Sequence, residues 1–343
     1  MRADRDQRST DLGATVARLL APGMGLLAAD ESLGTIARRF EHVGLESTEQ
    51  MRRDYRELLF TAPGIGEQIS GVILFDETIR QQAADGTPFT QLLEQRGAVP
   101  GIKVDLGVRP LALAPGESVT EGLDGLRDRL AEYRSLGARF TKWRAVLTIA
   151  PGTPSGYAIA VNAHALARFA ALSQEAGLVP IVEPEVLMDG DHPIEQSAAA
   201  TLAALRATVT ELAAQHVVLE HLLLKPNMVV AGRDSAVQPS VEETAAATLR
   251  CLRAAVPPAV PGIVFLSGGQ SPELATARLS AMNAAGPQAW ALSFSYSRAL
   301  QDPVLEAWRG RAANAPAAQD AFARRARLNG LARMGQYQRE ATT

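Results

Sequence analysis

Short apolar runs recur along the chain, each followed by a longer segment whose apolar residues repeat at helical spacing. Eight runs stand out, at residues 25–30, 69–75, 101–105, 140–146, 179–185, 222–229, 263–269 and 291–297. Several are rich in Val, Ile and Leu without strict alternation, as parallel strands covered on both faces should be. The segments between them predict amphipathic helices, among them 120–136, 161–176, 195–216, 241–256 and 272–284. Glycine or proline marks most of the joints. Eight strand–helix units in 343 residues predict an α/β chain folded as a single (β/α)8 TIM barrel. A doubly wound sheet is the competing arrangement, but no Gly-rich dinucleotide fingerprint follows any run. Additional helices are expected before and after the barrel, at 10–20 and 317–333. No linker or low-complexity tract interrupts the pattern. Residues 1–343 therefore read as one domain with a barrel core at about 25–300.

Composition narrows the setting. The chain is 47% hydrophobic, ample for a large core, and carries a formal net charge of -3. No basic tract interleaved with aromatics is present, so no nucleic-acid partner is expected. The stretch MRADRDQRSTDL is charged and lacks an apolar h-region, and no apolar stretch is long enough to span a bilayer. A cytoplasmic protein without a membrane partner is the expectation. The single cysteine, Cys251, lies in the helical pattern VEETAAATLRCLRAAV and is expected in the core.

The candidate chemistry begins with lysine. Of 34 lysines and arginines only three are lysine: Lys103, Lys142 and Lys225. An arginine-biased composition accounts for the scarcity. It does not account for the positions, because each lysine falls in a predicted strand (GIKVD, RFTKWRAV, LLLKPNMVV). Arginine cannot lose its proton in a protein, whereas lysine can when burial or a nearby cation lowers its pKa. In a barrel of this kind chemistry sits at the carboxyl ends of the strands. The pattern gathers Asp30, Lys103, Lys142 with Arg144, Glu183 with Glu185, Lys225, Ser267-Gly268-Gly269, and Ser297 with Arg298 at that end. Residues two apart in a strand share a face, so Lys142 and Arg144 point together, as do Glu183 and Glu185. Taken singly, each fits a surface ion pair or a loop residue; in one register they form a site. The run LSGGQSPELATARL reads as strand, glycine turn and helix start, an anion cradle that Arg298 would complete. A second cationic group forms from Lys103, Arg144 and the hydroxyls of Ser32 and Thr35. Two anion sites flanking a lysine–carboxylate centre point to a small substrate phosphorylated at both ends. Lys225 has the most apolar flanks and is the expected nucleophile, its pKa lowered further if Lys142 is close. The five histidines make no HxH or HExxH pattern, and MDGDHPIE lacks calcium-loop spacing, so no metal is expected.

The strings LLAADESLGTIARRF, GVILFDETI, GIKVDLGV, KWRAVL, VPIVEPEVLMDGDH, LLLKPNMV, PPAVPGIVFLSGGQS and SFSYSRALQ resemble class I fructose-bisphosphate aldolase. The similarity runs from about residue 10 to residue 337 and rests on many long motifs in one order. The resemblance implies a (β/α)8 barrel, a homotetramer, and reversible cleavage of fructose 1,6-bisphosphate to dihydroxyacetone phosphate and glyceraldehyde 3-phosphate, with neither metal nor cofactor. It implies Lys225 as the Schiff-base lysine, Glu183 as the proton-transfer residue, Glu185 as its supporting acid, Asp30 as the carboxylate at the C4 hydroxyl, and Lys142 as the lysine beside the nucleophile. Ser267, Gly268, Gly269, Ser297 and Arg298 match the C1-phosphate loops, with Arg39 at their edge. Lys103, Arg144, Ser32 and Thr35 match the C6-phosphate side. Three positions depart from the family's usual residues. Ser297 stands for glycine, and is expected to be strained if the position needs φ > 0. Leu33 stands for threonine and Thr35 for serine. Tyr337, the last tyrosine, is not assigned the proton-exchange role of the terminal tyrosine in animal members. A non-catalytic scaffold and another imine-forming barrel enzyme, such as a transaldolase, are the competing readings. The set Asp30, Lys142, Glu183 and Lys225 speaks against the first, and the two-ended phosphate pattern against the second.

Overall fold

The computed structural model describes residues 2–338. Its strands are β1 (Gly25–Ala29), β2 (Ile69–Leu74), β3 (Val99–Lys103), β4 (Val108–Pro110), β5 (Ser118–Thr120), β6 (Phe140–Leu147), β7 (Val179–Val186), β8 (Leu223–Leu224), β9 (Gly262–Phe265) and β10 (Ala291–Tyr296). Eight of these close a parallel barrel in the order β1-β10-β9-β8-β7-β6-β3-β2. The other two, β4 and β5, form an antiparallel hairpin between β3 and β6. All eight predicted runs are barrel strands. No helix among the described residues is long and apolar enough to cross a membrane.

Where boundaries differ, the cause is local. The helix expected at 120–136 starts only at Leu126. Gly125 sits at φ 66, where a left-handed residue breaks the helical run, and Thr120 pairs with Val108 in the hairpin. The sixth run, expected at 222–229, shrinks to Leu223–Leu224. Pro226 has no N–H to extend the ladder, so Lys225 stands just past the strand, its own amide donating to the Val182 carbonyl at 2.8 Å. Cys251 is buried in the helix Val241–Ala255, as expected.

Strand alternation sorts the side chains into two cores. Leu27, Val72, Ile102, Trp143, Val182, Leu224, Ile263 and Phe294 face outward and join the large cluster under the surrounding helices. The opposite set (Leu26, Ile73, Val99, Phe140, Val179, Ile181, Leu223 and Val264) points into the barrel. Leu12, Val16 and Leu19 of the first helix (Arg2–Leu19) pack on that inner set, with Leu20 against it. The helix therefore floors the amino end of the barrel. Arg333, at the end of the helix Ala315–Arg333, donates to the carbonyls of Leu20, Ala21 and Met24 and clasps the turn that leads into β1. Two residues further along the inward faces, apolar side chains give way to charged ones: Phe140 is followed by Lys142, Ile181 by Glu183, and Leu223 by Lys225.

Phe140 fixes how tightly the floor closes. It is fully buried, and a Cβ placed on Gly101 would lie 2.3 Å from its ring. The glycine on β3 thus exists to admit the ring on β6. Phe140→Ala should cost about 3–5 kcal/mol by opening a cavity. Gly101→Ala should destabilise by overpacking, and Phe140→Leu in that background should recover part of the loss. Urea denaturation of the wild type, these variants and Phe140→Leu alone checks this; additive losses for Gly101→Ala and Phe140→Leu would contradict it.

Candidate active site

The charged layer above the floor opens into a cavity of about 930 Å³ at the carboxyl ends of the strands. Each side chain reaches it for a reason of register. Asp30 follows β1 on the inward face. Lys103 ends β3 and lies level with Lys142 on β6. On β7, Glu183 lies level with Arg144, and Glu185 two residues higher. Asp30, Lys142, Glu183 and Lys225 are all buried.

These four form one connected cluster. Lys142 Nζ donates to Asp30 Oδ2 at 2.9 Å. It also lies 2.9 Å from Glu183 Oε2, at an angle that makes no hydrogen bond. Lys225 Nζ lies 3.2 Å from Glu183 Oε1. Charges deep in a protein are unstable unless matched, and two carboxylates here face two amines.

The two amines do not fare alike. Burial disfavours the charge on Lys142, but Asp30 and Glu183 on either side outweigh it and hold that pKa above the ordinary lysine range. Burial also disfavours the charge on Lys225. Glu183 opposes it, but Lys142 adds to it, and the result lies below the ordinary value. Burial would raise Asp30, yet Lys142, Lys225 and Lys103 pull it down to about 2. The site therefore holds one amine that keeps its proton, one that gives it up more easily than an ordinary lysine, and a carboxylate held anionic by its neighbours.

Two polar ends flank the cluster. At one, Ser267 and Gly268 line the cavity, and Gly268 takes φ +57 in the turn. Arg298 Nη2 donates to the Gly268 carbonyl. Ser297 and Arg39 line the cavity beside them. At the other, Lys103 Nζ lies 2.6 Å from Asp105 Oδ1, and Arg144 Nε donates to Glu185 Oε2 at 2.5 Å. The hydroxyls of Ser32 and Thr35, which meet at 3.1 Å, line the same cavity. Ser32 and Ser297 are the N-cap residues of the helices Leu33–His42 and Arg298–Trp308, and neither side chain caps its own helix. The first amides of both helices are left without the usual side-chain acceptor, an arrangement suited to anions.

Of the candidate catalytic and phosphate-binding residues, Gly269 alone does not line the cavity. Its amide donates to Met188 Sδ at 3.1 Å, and a Cβ there would meet Arg233 Nη2 at 2.6 Å, so its role is close packing behind the turn. The expected strain at Ser297 is also absent: its φ is -106, so no left-handed backbone is imposed on a serine. Tyr337 packs against the outer cluster, its amide donating to Ser280 Oγ at 3.2 Å.

Sequence reasoning passed over a buried network behind the Arg298 end. Glu31 accepts from Arg56 Nη2 at 2.6 Å, Arg39 Nη1 at 2.5 Å, Ser297 Oγ at 2.5 Å and Gln301 Nε2 at 2.8 Å. Burial alone would raise the Glu31 pKa; Arg56 and Arg39 hold it below the ordinary range. Arg56 and Gln301 come from helices, so no strand register could have revealed them. Glu31 itself, beside Asp30 in ADES, was the available signal.

With three lysines in the chain, selective labelling of lysine Cε should give three assignable signals. Lys225 should titrate with a midpoint below 10.5, the ordinary lysine value from which the site depresses it, and Lys142 should not. In Lys142→Met, removal of the neighbouring cation should move the Lys225 midpoint upward. A downward or absent shift would contradict the electrostatic account.

Comparison with known proteins identifies the family of the chain as a whole. The family model for class I fructose-bisphosphate aldolase matches residues 11–343. A probable class 1 fructose-bisphosphate aldolase of Xanthomonas campestris pv. campestris is 54% identical over 327 residues, covering 95% of this chain and 98% of the relative. Fructose-bisphosphate aldolase C of Rattus norvegicus is 49% identical over 334 residues, covering 97% and 92%. The structure of fructose-bisphosphate aldolase from Plasmodium falciparum, solved with TRAP and a small-molecule inhibitor, superposes with a TM-score of 0.96 at 45% identity, covering 97% of both chains. With its barrel, its paired lysines and carboxylates, and a family match over nearly its whole length, the chain belongs to the class I fructose-bisphosphate aldolases.

Proposed function

We propose that this enzyme, a carbon–carbon lyase of the class I type, cleaves fructose 1,6-bisphosphate reversibly through an imine on Lys225. The observation that carries the reading is one carboxylate, Glu183, set between two lysines of opposite tendency: 3.2 Å from Lys225 and 2.9 Å from Lys142. Neutral Lys225 attacks the C2 carbonyl of the open-chain ketose and forms a carbinolamine. Glu183, within reach of that nitrogen, delivers the proton with which the C2 hydroxyl leaves as water. The resulting iminium draws the C3–C4 bonding pair toward nitrogen as the C4 hydroxyl loses its proton to Asp30. Glyceraldehyde 3-phosphate departs, and the enamine remains on Lys225. Protonation at C3 and hydrolysis of the imine release dihydroxyacetone phosphate and restore the amine.

Asp30 is a weak base despite its burial, because Lys142 and Lys225 stabilise its anion. The driving force for bond cleavage is therefore the iminium, with Asp30 steering the proton. Lys142 stays charged throughout and offsets whichever carboxylate is anionic. Since the iminium is itself the electron sink, the chemistry needs neither metal nor cofactor. Glu185 pairs with Arg144 and acts by holding that cation at the Lys103 end. Ser267, Gly268, Arg298, Arg39 and the Ser297 amide take the C1 phosphate. Lys103, Arg144, Ser32 and Thr35 take the C6 phosphate. The homotetrameric state proposed for it rests on the family resemblance alone, and the proposed cytoplasmic location on the charged stretch MRADRDQRSTDL without an apolar h-region.

Lys225→Arg should fold and yet lose turnover, because a guanidinium cannot form the imine. Borohydride with dihydroxyacetone phosphate should label Lys225 in the wild type and nothing in the variant; label on another lysine would end the proposal. Arg298→Ala should raise KM for fructose 1,6-bisphosphate by roughly 10- to 100-fold, the loss of a charge-assisted contact to phosphate. Steady-state kinetics reads this directly, and an unchanged KM would remove Arg298 from the phosphate site.

A further inference from the structure

Ser297 holds a position that favours capping its own helix and does not cap it. A serine at an N-cap ordinarily accepts from an amide in the first turn. Here the hydroxyl donates to Glu31 Oε1 at 2.5 Å and accepts from Arg39 Nη1 at 3.0 Å and Gln301 Nε2 at 3.1 Å. One hydrogen and two lone pairs are thereby all committed, so the hydroxyl cannot turn to the helix without breaking this set. Its partners are themselves fixed. Glu31 is gripped by Arg56, whose side chain is 3% exposed. Gln301 Nε2 also donates to the Ala28 carbonyl on β1 at 2.7 Å, and its Oε1 accepts from Tyr55 at 3.1 Å. A rigid chain of bonds thus runs from the barrel wall through Gln301 and Glu31 to Ser297 and ends on Arg39.

Both Glu31 and Ser297 engage Arg39 through Nη1. The Nε–Nη2 edge carries no hydrogen bond among the described residues, and that edge suits a phosphate. We propose that Ser297 is a positioning residue for the phosphate end: its hydroxyl locks one corner of Arg39 so that the opposite edge faces the ligand, and by turning away from its own helix it leaves the first amides of Arg298–Trp308 to the same phosphate. The proposal rests on the reading that a substrate phosphate binds there, and it assigns the serine side chain a task separate from that of its backbone amide.

The test compares Ser297→Ala and Ser297→Gly, both of which remove the hydroxyl, with Arg39→Ala and the double variants, in the full chain. The probes are fructose 1,6-bisphosphate for KM and kcat, and inorganic phosphate as a competitive inhibitor. Loss of the hydroxyl should raise KM and the phosphate inhibition constant together by roughly tenfold, as for one charge-assisted bond, with kcat changed by less than about twofold. In the Arg39→Ala background the same change should have no further effect, because the serine acts through that arginine. An unchanged phosphate constant, or an equal factor in both backgrounds, would overturn the proposal. Borohydride trapping on Lys225 keeps the two readings apart. If trapping persists while the Ser297 effect is missing, only the positioning role falls. If trapping fails in the wild type, the imine mechanism falls.

Discussion

Two lysine amines and two carboxyl groups buried in one layer of the barrel are the constraint on which this structure turns. Each would cost several kcal/mol to strip of water alone, and none has a surface to retreat to. They are tolerable only as a set, with oxygens and nitrogens held near 3 Å by strands that cannot slide. The arrangement is asymmetric, and the asymmetry selects the reactive group. Lys142 stands between Asp30 and Glu183 and is secured as a cation. Lys225 has Glu183 to one side and a cation nearby, so its proton is the easiest to remove. The barrel thus distinguishes two chemically identical side chains by how many acids each one faces.

The adjacent pair Asp30 and Glu31 shows how backbone alternation divides labour. Successive residues leaving an extended strand point to opposite sides. Asp30 turns into the barrel and meets Lys142. Glu31 turns toward the helices and gathers Arg39, Arg56, Gln301 and Ser297. In the proposed mechanism the first carboxylate belongs to the chemistry and the second to the frame around the phosphate end. Because they are neighbours in sequence, a shift that disturbs the frame reaches the reacting centre within one residue.

Much of this was legible in the chain. The inward residues of the barrel keep strict two-residue spacing, so Lys142 with Arg144 and Glu183 with Glu185 could be placed on common faces from sequence alone. All eight strands were found, because strands covered on both sides leave long apolar runs. What escaped notice depended on groups that no periodicity encodes. The hairpin at Val108–Pro110 and Ser118–Thr120 is too short to carry a pattern. Arg56 and Gln301 reach Glu31 from helices far apart in the chain. Ser297 was expected to suffer as a replacement for glycine, but the negative φ there admits a side chain, and its hydroxyl found partners that glycine could not have. Gly269 reads as part of the anion cradle because it repeats Gly268; in the structure it stands outside the cavity lining, its amide donating to Met188 Sδ.

The floor laid by the first helix has a kinetic meaning. With Leu12, Val16, Leu19 and Leu20 packed on the inner apolar set at one end of the barrel, the charged cavity lies at the other. The aldehyde fragment, free once its carbon bond is cut, can leave through it at once. The ketone fragment stays tethered to the lysine until water arrives by the same route. On the proposed imine route an obligatory order of departure follows from the covalent tether, and the returning aldehyde of the reverse reaction must find the tether already loaded.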